Sequence, residues 1–397
     1  MKFIRKYHEL IKRRIEEPRS TIQVLVGPRQ VGKSTLIEQV LQDTIVPYVF
    51  MSADAVEKTD LKWIHNLWES VRASMNVNQC DEYLLVIDEI QKIENWSEQV
   101  KLEWDSDTSR RLNIKVVLLG SSRLMLMSGL KESLAGRFEL IRMGHWTFQE
   151  MRQAFGFGLE QYVYFGGYPG AAKFIDDEQR WKRYIKDSIV KPAIEKDVIM
   201  TSNIYKPALM KQLFVIGCRY SAELLSLTKV IGQLQDAGNV TTAASYLNIL
   251  EECQMLCGLQ KYSHDDARKY NSIPKFQVFN NALLSAFQRQ SFNSSRENPE
   301  LWGRWVESSV GAHLVSQAEE NDYQVLYWRN RDKEVDFIVC ADEGCIALEV
   351  KSGRRSGNAG ISEFVKLFNP MHSYIIGTGG ISLEDFLSCN VTDLLWI

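Results

Sequence analysis

The chain has 397 residues, 45% of them hydrophobic and 24% charged, with a formal net charge of −3. That is too long for one ordinary hydrophobic core, so two or three domains are expected, and the composition is that of a globular protein rather than a disordered one. No run of about 18 apolar residues occurs, so no membrane-spanning helix is expected, and the near-neutral balance gives no overall basic field for nucleic acid.

The start, Met1-Lys2-Phe3-Ile4-Arg5-Lys6, lacks the long apolar segment and cleavage site of a secretion signal and reads as a short amphipathic helix. Strands are then expected at Thr21–Val26, Pro47–Met51, Tyr83–Ile87, Lys115–Leu119 and Phe138–Met143, with helical patterns between them. This alternation predicts an α/β fold with a parallel sheet covered on both faces.

After the first strand comes Gly27-Pro28-Arg29-Gln30-Val31-Gly32-Lys33-Ser34-Thr35, a complete G-x-x-x-x-G-K-[ST] phosphate-binding loop that opens a helix. Backbone N–H groups of such a loop wrap a phosphate chain, and the helix N-terminus adds positive partial charge. Lys33 is expected on the β- and γ-phosphates of ATP and Ser34 on Mg²⁺. The run Tyr83-Leu84-Leu85-Val86-Ile87-Asp88-Glu89 ends in two carboxylates at the strand terminus where α/β sheets gather ligands. Asp88 is the expected partner of Mg²⁺, and Glu89 the base that orients and deprotonates water. Gly120-Ser121-Ser122-Arg123 follows the fourth strand, where Ser121 and Ser122 either sense the γ-phosphate or cap the next helix.

GPRQVGKST, LLVIDEIQK, LLGSSRLML and SLAGRFEL, in this order and spacing, resemble a prokaryotic AAA-type P-loop ATPase family. Its members usually carry a C-terminal domain of formerly unknown function, and the resemblance covers essentially the whole chain. It implies an additional-strand P-loop core that hydrolyses ATP. It also implies that Arg137, in Leu134-Ala135-Gly136-Arg137, stabilises transition-state charge in cis or from a neighbouring copy; a structural salt bridge is the alternative. The family keeps a turn similar to Gly166-Gly167-Tyr168-Pro169, followed by helices of a lid that include Glu178–Val190.

The expected boundaries are an ATPase core over 1–155, a helical lid over 156–204, a winged-helix-like module over 205–272 and a nuclease-like α/β domain over 273–397. In the third segment helices are expected to begin at Tyr220–Leu225, at Lys229–Gln235 and at Thr241–Glu252, before a strand near Met255–Tyr262. The third helix offers Thr241, Thr242, Ser245 and Asn248 but no Arg or Lys. It therefore reads either as a DNA-contacting helix or as one that packs domains together.

In the last segment Asp336 sits inside one expected strand and Glu349-x-Lys351 inside the next, with Glu307 on a helix upstream. Alternation puts Glu349 and Lys351 on one face. This is the pattern of the PD-(D/E)XK nuclease fold, which the family's C-terminal domain resembles; Val335 stands where the signature has Pro. Glu307, Asp336 and Glu349 would hold Mg²⁺ or Mn²⁺, with Glu349 and Lys351 in the catalytic site. Trp328-Arg329-Asn330-Arg331 is placed to meet a nucleic-acid backbone. Residues 273–397 carry 11 Lys+Arg against 16 Asp+Glu, which opposes tight DNA binding. Active nuclease, silent DNA binder and protein-interaction domain all remain open.

The seven cysteines are scattered, with a helical spacing at Cys253-x-x-x-Cys257 and no C-x-x-C. Neither a zinc site nor a disulfide framework is expected, and a cytoplasmic location is the default. The expected partners are ATP and DNA, or a protein partner under a nucleotide switch. No membrane is expected, and the family leaves room for a homo-oligomer.

Overall fold

The computed structural model describes residues 3–60, 62–121, 123–199, 204–232, 239–263, 272–353 and 359–395. Ser122 and the end of the expected Lys229–Gln235 helix lie outside the described residues. The chain forms two compact units, divided between Met143 and Gly144.

The first unit alternates strands β1 (Ile22–Val26), β2 (Tyr48–Ser52), β3 (Tyr83–Asp88), β4 (Ile114–Leu119) and β5 (Phe138–Arg142) with helices α1 (His8–Glu16), α2 (Lys33–Gln42), α3 (Trp63–Val77), α4 (Trp96–Arg110) and α5 (Arg123–Ser133). All five strands are parallel, in the order β2-β3-β4-β1-β5. Each lies within two residues of its expected position. β1 and β4 are buried at every residue, as continuous apolar runs require when helices cover both faces. Val24, Ile87 and Leu118 from the sheet pack with Trp68 and Trp104 from α3 and α4. Asp107, fully buried on α4, accepts from Arg72 Nη2 at 2.6 Å and Trp68 Nε1 at 3.0 Å. A buried carboxylate without such partners would cost several kcal/mol.

The second unit begins with α6 (Phe148–Phe155) and α7 (Leu159–Phe165). The Thr147 side chain and Glu150 form a reciprocal capping box that starts α6. The expected Gly-Gly-Tyr-Pro turn is present. Gly166 has φ +66°, and a Cβ there would meet Asn280 Oδ1 at 2.1 Å, so only glycine fits. α8 (Glu178–Tyr184) continues into π-helical turns over Ile185–Val190 and Ala193–Ile199.

Next come α9 (Pro207–Arg219), α10 (Leu227–Gly232), α11 (Val240–Glu252) and an antiparallel pair, β6 (Leu256–Leu259) with β7 (Lys275–Val278). The third expected helix and the strand after it are present, but Tyr220–Leu225 does not begin a helix. It follows the end of α9, with Ala222 at φ +67°, and Leu224 bridges to Lys275. Cys253 follows α11 while Cys257 lies in β6, so their spacing is not helical.

Helices α12 (Asn281–Phe287), α13 (Phe292–Glu297) and α14 (Pro299–Ala318) lead into β8 (Gln324–Asn330), β9 (Lys333–Ala341) and β10 (Gly344–Lys351). After α15 (Ala359–Phe368) comes β11 (His372–Gly377), and α16 (Leu383–Ser388) and α17 (Thr392–Leu395) complete the described fold. The sheet order is β11-β10-β9-β8, with β10 and β11 parallel and the other pairs antiparallel. Cys340 and Cys345, opposite each other across the β9–β10 hairpin, form a disulfide. The sequence reading, which expected no disulfide framework, did not foresee this single pair, because strand pairing brings together two cysteines whose spacing is otherwise uninformative.

Candidate functional site

Three parallel strands bring the first site together. The loop 27–32 follows β1, Asp88 ends β3, and Ser121 follows β4, which lies between β1 and β3 in the sheet. Gly27 approaches Met143 so closely that a Cβ would sit 2.4 Å from its carbonyl oxygen, and Gly32 enters α2 at φ +88°. These constraints curl the loop over the N-terminus of α2, where the first N–H groups of a helix have no intrahelical acceptor and can bind an anion. Lys33, only 7% exposed, donates to the carbonyls of Gly27 at 3.0 Å and Pro28 at 2.9 Å. Its ammonium thus sits folded against the loop a phosphate would enter. Arg5 braces the same loop, donating from Nη1 to the Val31 carbonyl at 3.2 Å; nothing in its sequence neighbourhood marked it.

Ser34 Oγ donates to Asp88 Oδ2 at 2.7 Å, the hydroxyl–carboxylate pairing expected of two groups that share a divalent ion. Glu89 stands at φ +57°, a left-handed conformation that a non-glycine residue adopts at a cost. Its Oε2 accepts from Ser121 Oγ at 2.8 Å and from Gln91 Nε2 at 2.7 Å. Gln91 was missed, although its position two residues after Glu89 is a readable signal. It is buried, and a Cβ on Gly120 would lie 2.2 Å from its Oε1.

Arg137 does not join this site within its own unit. Its guanidinium forms a fork to Asp105, Nε to Oδ1 at 2.8 Å and Nη2 to Oδ2 at 2.9 Å. Its carbonyl receives the N–H of Ile22, the first residue of β1. The phosphate loop leaves the other end of that strand, five residues on, which is about 16 Å at 3.3 Å per residue.

A family model described as an AAA domain matches residues 19–152. Residues 19–152 are therefore similar to an AAA domain, and their parallel sheet and phosphate-loop motif suit a P-loop core. Two further models, each described as a domain of unknown function, match residues 157–294 (DUF8612) and 302–389 (DUF4143). Uncharacterized proteins of Mycobacterium bovis and Mycobacterium tuberculosis are each 24% identical over 337 residues, 84% of this chain and 70% of theirs. Among solved structures, the Aeropyrum pernix Orc1 protein in complex with DNA is similar at 12% identity and a TM-score of 0.31, over 72% of this chain and 91% of that one. The replication initiator DnaA bound to AMPPCP and single-stranded DNA is similar at 16% identity and a TM-score of 0.33, over 60% of this chain and 86% of that one. No helix among the described residues is long and apolar enough to cross a membrane.

The second expected site is built differently from its sequence reading. Glu307 on α14 and Asp336 on β9 do approach each other, but around the ammonium of Lys275 on β7. Lys275 is fully buried, and its Nζ lies 2.6 Å from Glu307, 3.5 Å from Glu334 and 3.8 Å from Asp336. Burial alone would lower its pKa; the three carboxylates outweigh that and hold it above the usual lysine range. Asp336 Oδ2 is also taken by the Val350 N–H at 2.7 Å, and Glu349 Oε1 by Lys351 Nζ at 2.6 Å. Among the described residues, the set of three metal-ligating side chains whose ligand atoms converge within 4.8 Å is His65, Glu69 and Glu103, the two carboxylates already paired with Arg72 and His65 with Glu103, and not the C-terminal carboxylates. The residues present therefore do not fit Mg²⁺ or Mn²⁺ at Glu307, Asp336 and Glu349. Lys275 already faces Glu307 and Asp336, where the sequence placed a metal ion, and Glu349 is paired with Lys351 instead.

Glu349 Oε2 is buried with no hydrogen-bond partner. Burial first, then the charge of Asp336, pushes the Glu349 carboxyl up to about 6, and burial pushes Glu307 up to about 7. A carboxyl whose folded pKa is raised holds an extra proton in the native state. It therefore disfavours folding increasingly as pH rises from the unfolded value, about 4.3, to the folded one. Glu349→Gln removes that term. The thermal midpoint of the variant should gain on wild type as pH rises from about 4.5 to 6 and hold its lead above that. A pH-independent difference would show that folding leaves the Glu349 carboxyl at its ordinary value.

Proposed function

We propose that the chain is a Mg²⁺-dependent ATPase whose nucleotide state governs a nuclease-like C-terminal unit that binds DNA without cutting it. The observation that carries the ATPase reading is the convergence of Lys33, Ser34, Asp88, Glu89 and Ser121 at the ends of three adjacent parallel strands. The loop amides and Lys33 would bind the phosphates, with Gly27 to Thr35 forming the cradle. Ser34 and Asp88 would hold Mg²⁺, which when bound neutralises charge between the β- and γ-phosphates. Glu89 would accept the proton of the attacking water, and Ser121 and Gln91 fix the direction of its carboxylate. Any contact from Arg137 to the γ-phosphate would have to come from a neighbouring copy, which makes turnover dependent on protein concentration.

The C-terminal sheet with its Asp336 and Glu349-x-Lys351 pattern supports a nuclease-like fold, and the lysine inside the carboxylates argues against metal-dependent cleavage. Helices α9 to α11 with β6 and β7 support a winged-helix module. The DNA role rests on exposed basic side chains near that sheet, Arg329 and Arg331.

Phosphate release from ATP, with and without duplex and single-stranded DNA, tests the reading, with Lys33→Ala as the blank. Wild type should turn over ATP well above the blank, and one DNA form should stimulate it. Turnover equal to the blank would leave a nucleotide-binding switch, and indifference to DNA would point to a protein partner.

A further inference from the structure

The second unit contains an open cleft of about 730 Å³. That is within the roughly 300–1,000 Å³ typical of ligand-binding cavities. Lys229 of α10, Lys261 beyond β6, and Arg329 and Arg331 at the end of β8 line it, with Ser226 and Tyr327 between them. No Asp or Glu is among its described lining residues. We infer that this cleft is a binding site for the phosphodiester backbone of nucleic acid, a proposal that rests on the DNA reading above and locates it.

The backbone holds these cations in place. Tyr262 N–H donates to the Tyr327 carbonyl at 2.6 Å and Tyr327 N–H to the Gln260 carbonyl at 3.1 Å, which ties the end of β6 alongside β8. Along β8 the alternation sends Leu326 and Trp328 into the apolar cluster with Phe364. The intervening residues Tyr327 and Arg329 face the cleft. The Tyr327 hydroxyl is fixed on the Ile273 carbonyl at 2.5 Å, so it shapes the wall rather than offering a free stacking face.

The chemistry favours phosphate over other partners. Lys229, Arg329 and Arg331 are exposed and Lys261 is half-buried, so their charges can reach an entering anion. Arg329 is 3.8 Å from Glu334, but that carboxylate also faces Lys275. Part of the negative charge of the C-terminal segment is taken up away from the cleft: Glu307 and Asp336 turn inward to Lys275 and Glu349 to Lys351, while Glu334 is shared between Lys275 and Arg329. Net charge thus hides a basic patch. The described lining residues include no exposed aromatic platform, so the contacts they offer are to backbone phosphates, which makes binding independent of sequence and sensitive to salt.

Fluorescence anisotropy of the full chain with labelled 20-nucleotide single strands and duplexes, across a salt series, tests this. Four phosphate contacts predict a slope of log K on log salt steeper by about 3.6 for duplex and about 2.8 for single strands than in a variant lacking them. Replacing Lys229, Lys261, Arg329 and Arg331 together by alanine should flatten the slope by that amount and weaken binding at least about tenfold at low salt. The double variant Lys229→Ala/Arg331→Ala changes only exposed side chains and should give about half the slope change. Wild-type binding with an unchanged slope in both variants would overturn the cleft and leave the DNA reading standing. No binding by wild type at any salt would overturn both.

Discussion

Glu89→Gln is expected to stop ATP turnover while leaving ATP bound. The substitution keeps the side chain's size and its hydrogen bond from Ser121, but replaces the carboxylate proposed to accept the proton by an amide. General-base catalysis contributes about 10²–10⁴ in rate, so kcat should fall by that factor. Affinity for a fluorescent ATP analogue should stay close to wild type, because Lys33, Ser34 and the loop amides are untouched. Ser121→Ala and Gln91→Ala should act in the same direction with smaller effect. Each removes one of the two donors that aim Glu89 Oε2, at 2.8 and 2.7 Å, and leaves the base present. Undiminished phosphate release by Glu89→Gln would show that another group activates the water.

The second large effect is expected in the other unit. Lys275→Met should lower the stability of that unit by about 3–5 kcal/mol, the cost of removing one partner from a buried ion cluster. For a unit of this size that is a fall of roughly 6–20 °C in the thermal midpoint. Methionine fills the space of the lysine stem but leaves Glu307, Glu334 and Asp336 facing one another without a cation. The loss should shrink at low pH as the carboxyls take up protons; Glu307, pushed up to about 7, is the first to do so. Differential scanning calorimetry at pH 5 and pH 8 measures both. An unaltered midpoint at pH 8 would mean that the carboxylates do not depend on Lys275. Recovery of the midpoint by Mn²⁺ in the variant, and not in wild type, would show that the lysine occupies a place a metal can take.

The parallel sheet and its phosphate loop were legible because their signals are local. A buried strand such as Val24-Leu25-Val26 is a short apolar run, and the turn after it needs glycine where the backbone enters the left-handed region or touches Met143. Asp88 and Glu89 could be placed for the same reason, since the end of a parallel strand is fixed by the strand itself. The helix expected at Tyr220–Leu225 was misread because the bridge of Leu224 to Lys275, some 50 residues away, overrides local propensity. Of the readings open for Arg137, the structure shows a salt bridge, the fork to Asp105, because a motif carries no information on which end of the sheet its side chain occupies.

The amino-acid sequence by itself determined the parallel sheet, the G-x-x-x-x-G-K-[ST] loop after β1 and the carboxylates that end β3. It also determined the Asp336 and Glu349-x-Lys351 pattern of the C-terminal sheet. Tertiary structure alone decided what that pattern encloses. Lys275 reaches Glu307, Glu334 and Asp336 from a strand 32 to 61 residues earlier in the chain, with no spacing rule to announce it. Whether three carboxylates surround a metal or an ammonium depends on which cation the fold delivers to a buried volume. That is settled by packing, since burying the charges unpaired would cost more than the fold can supply.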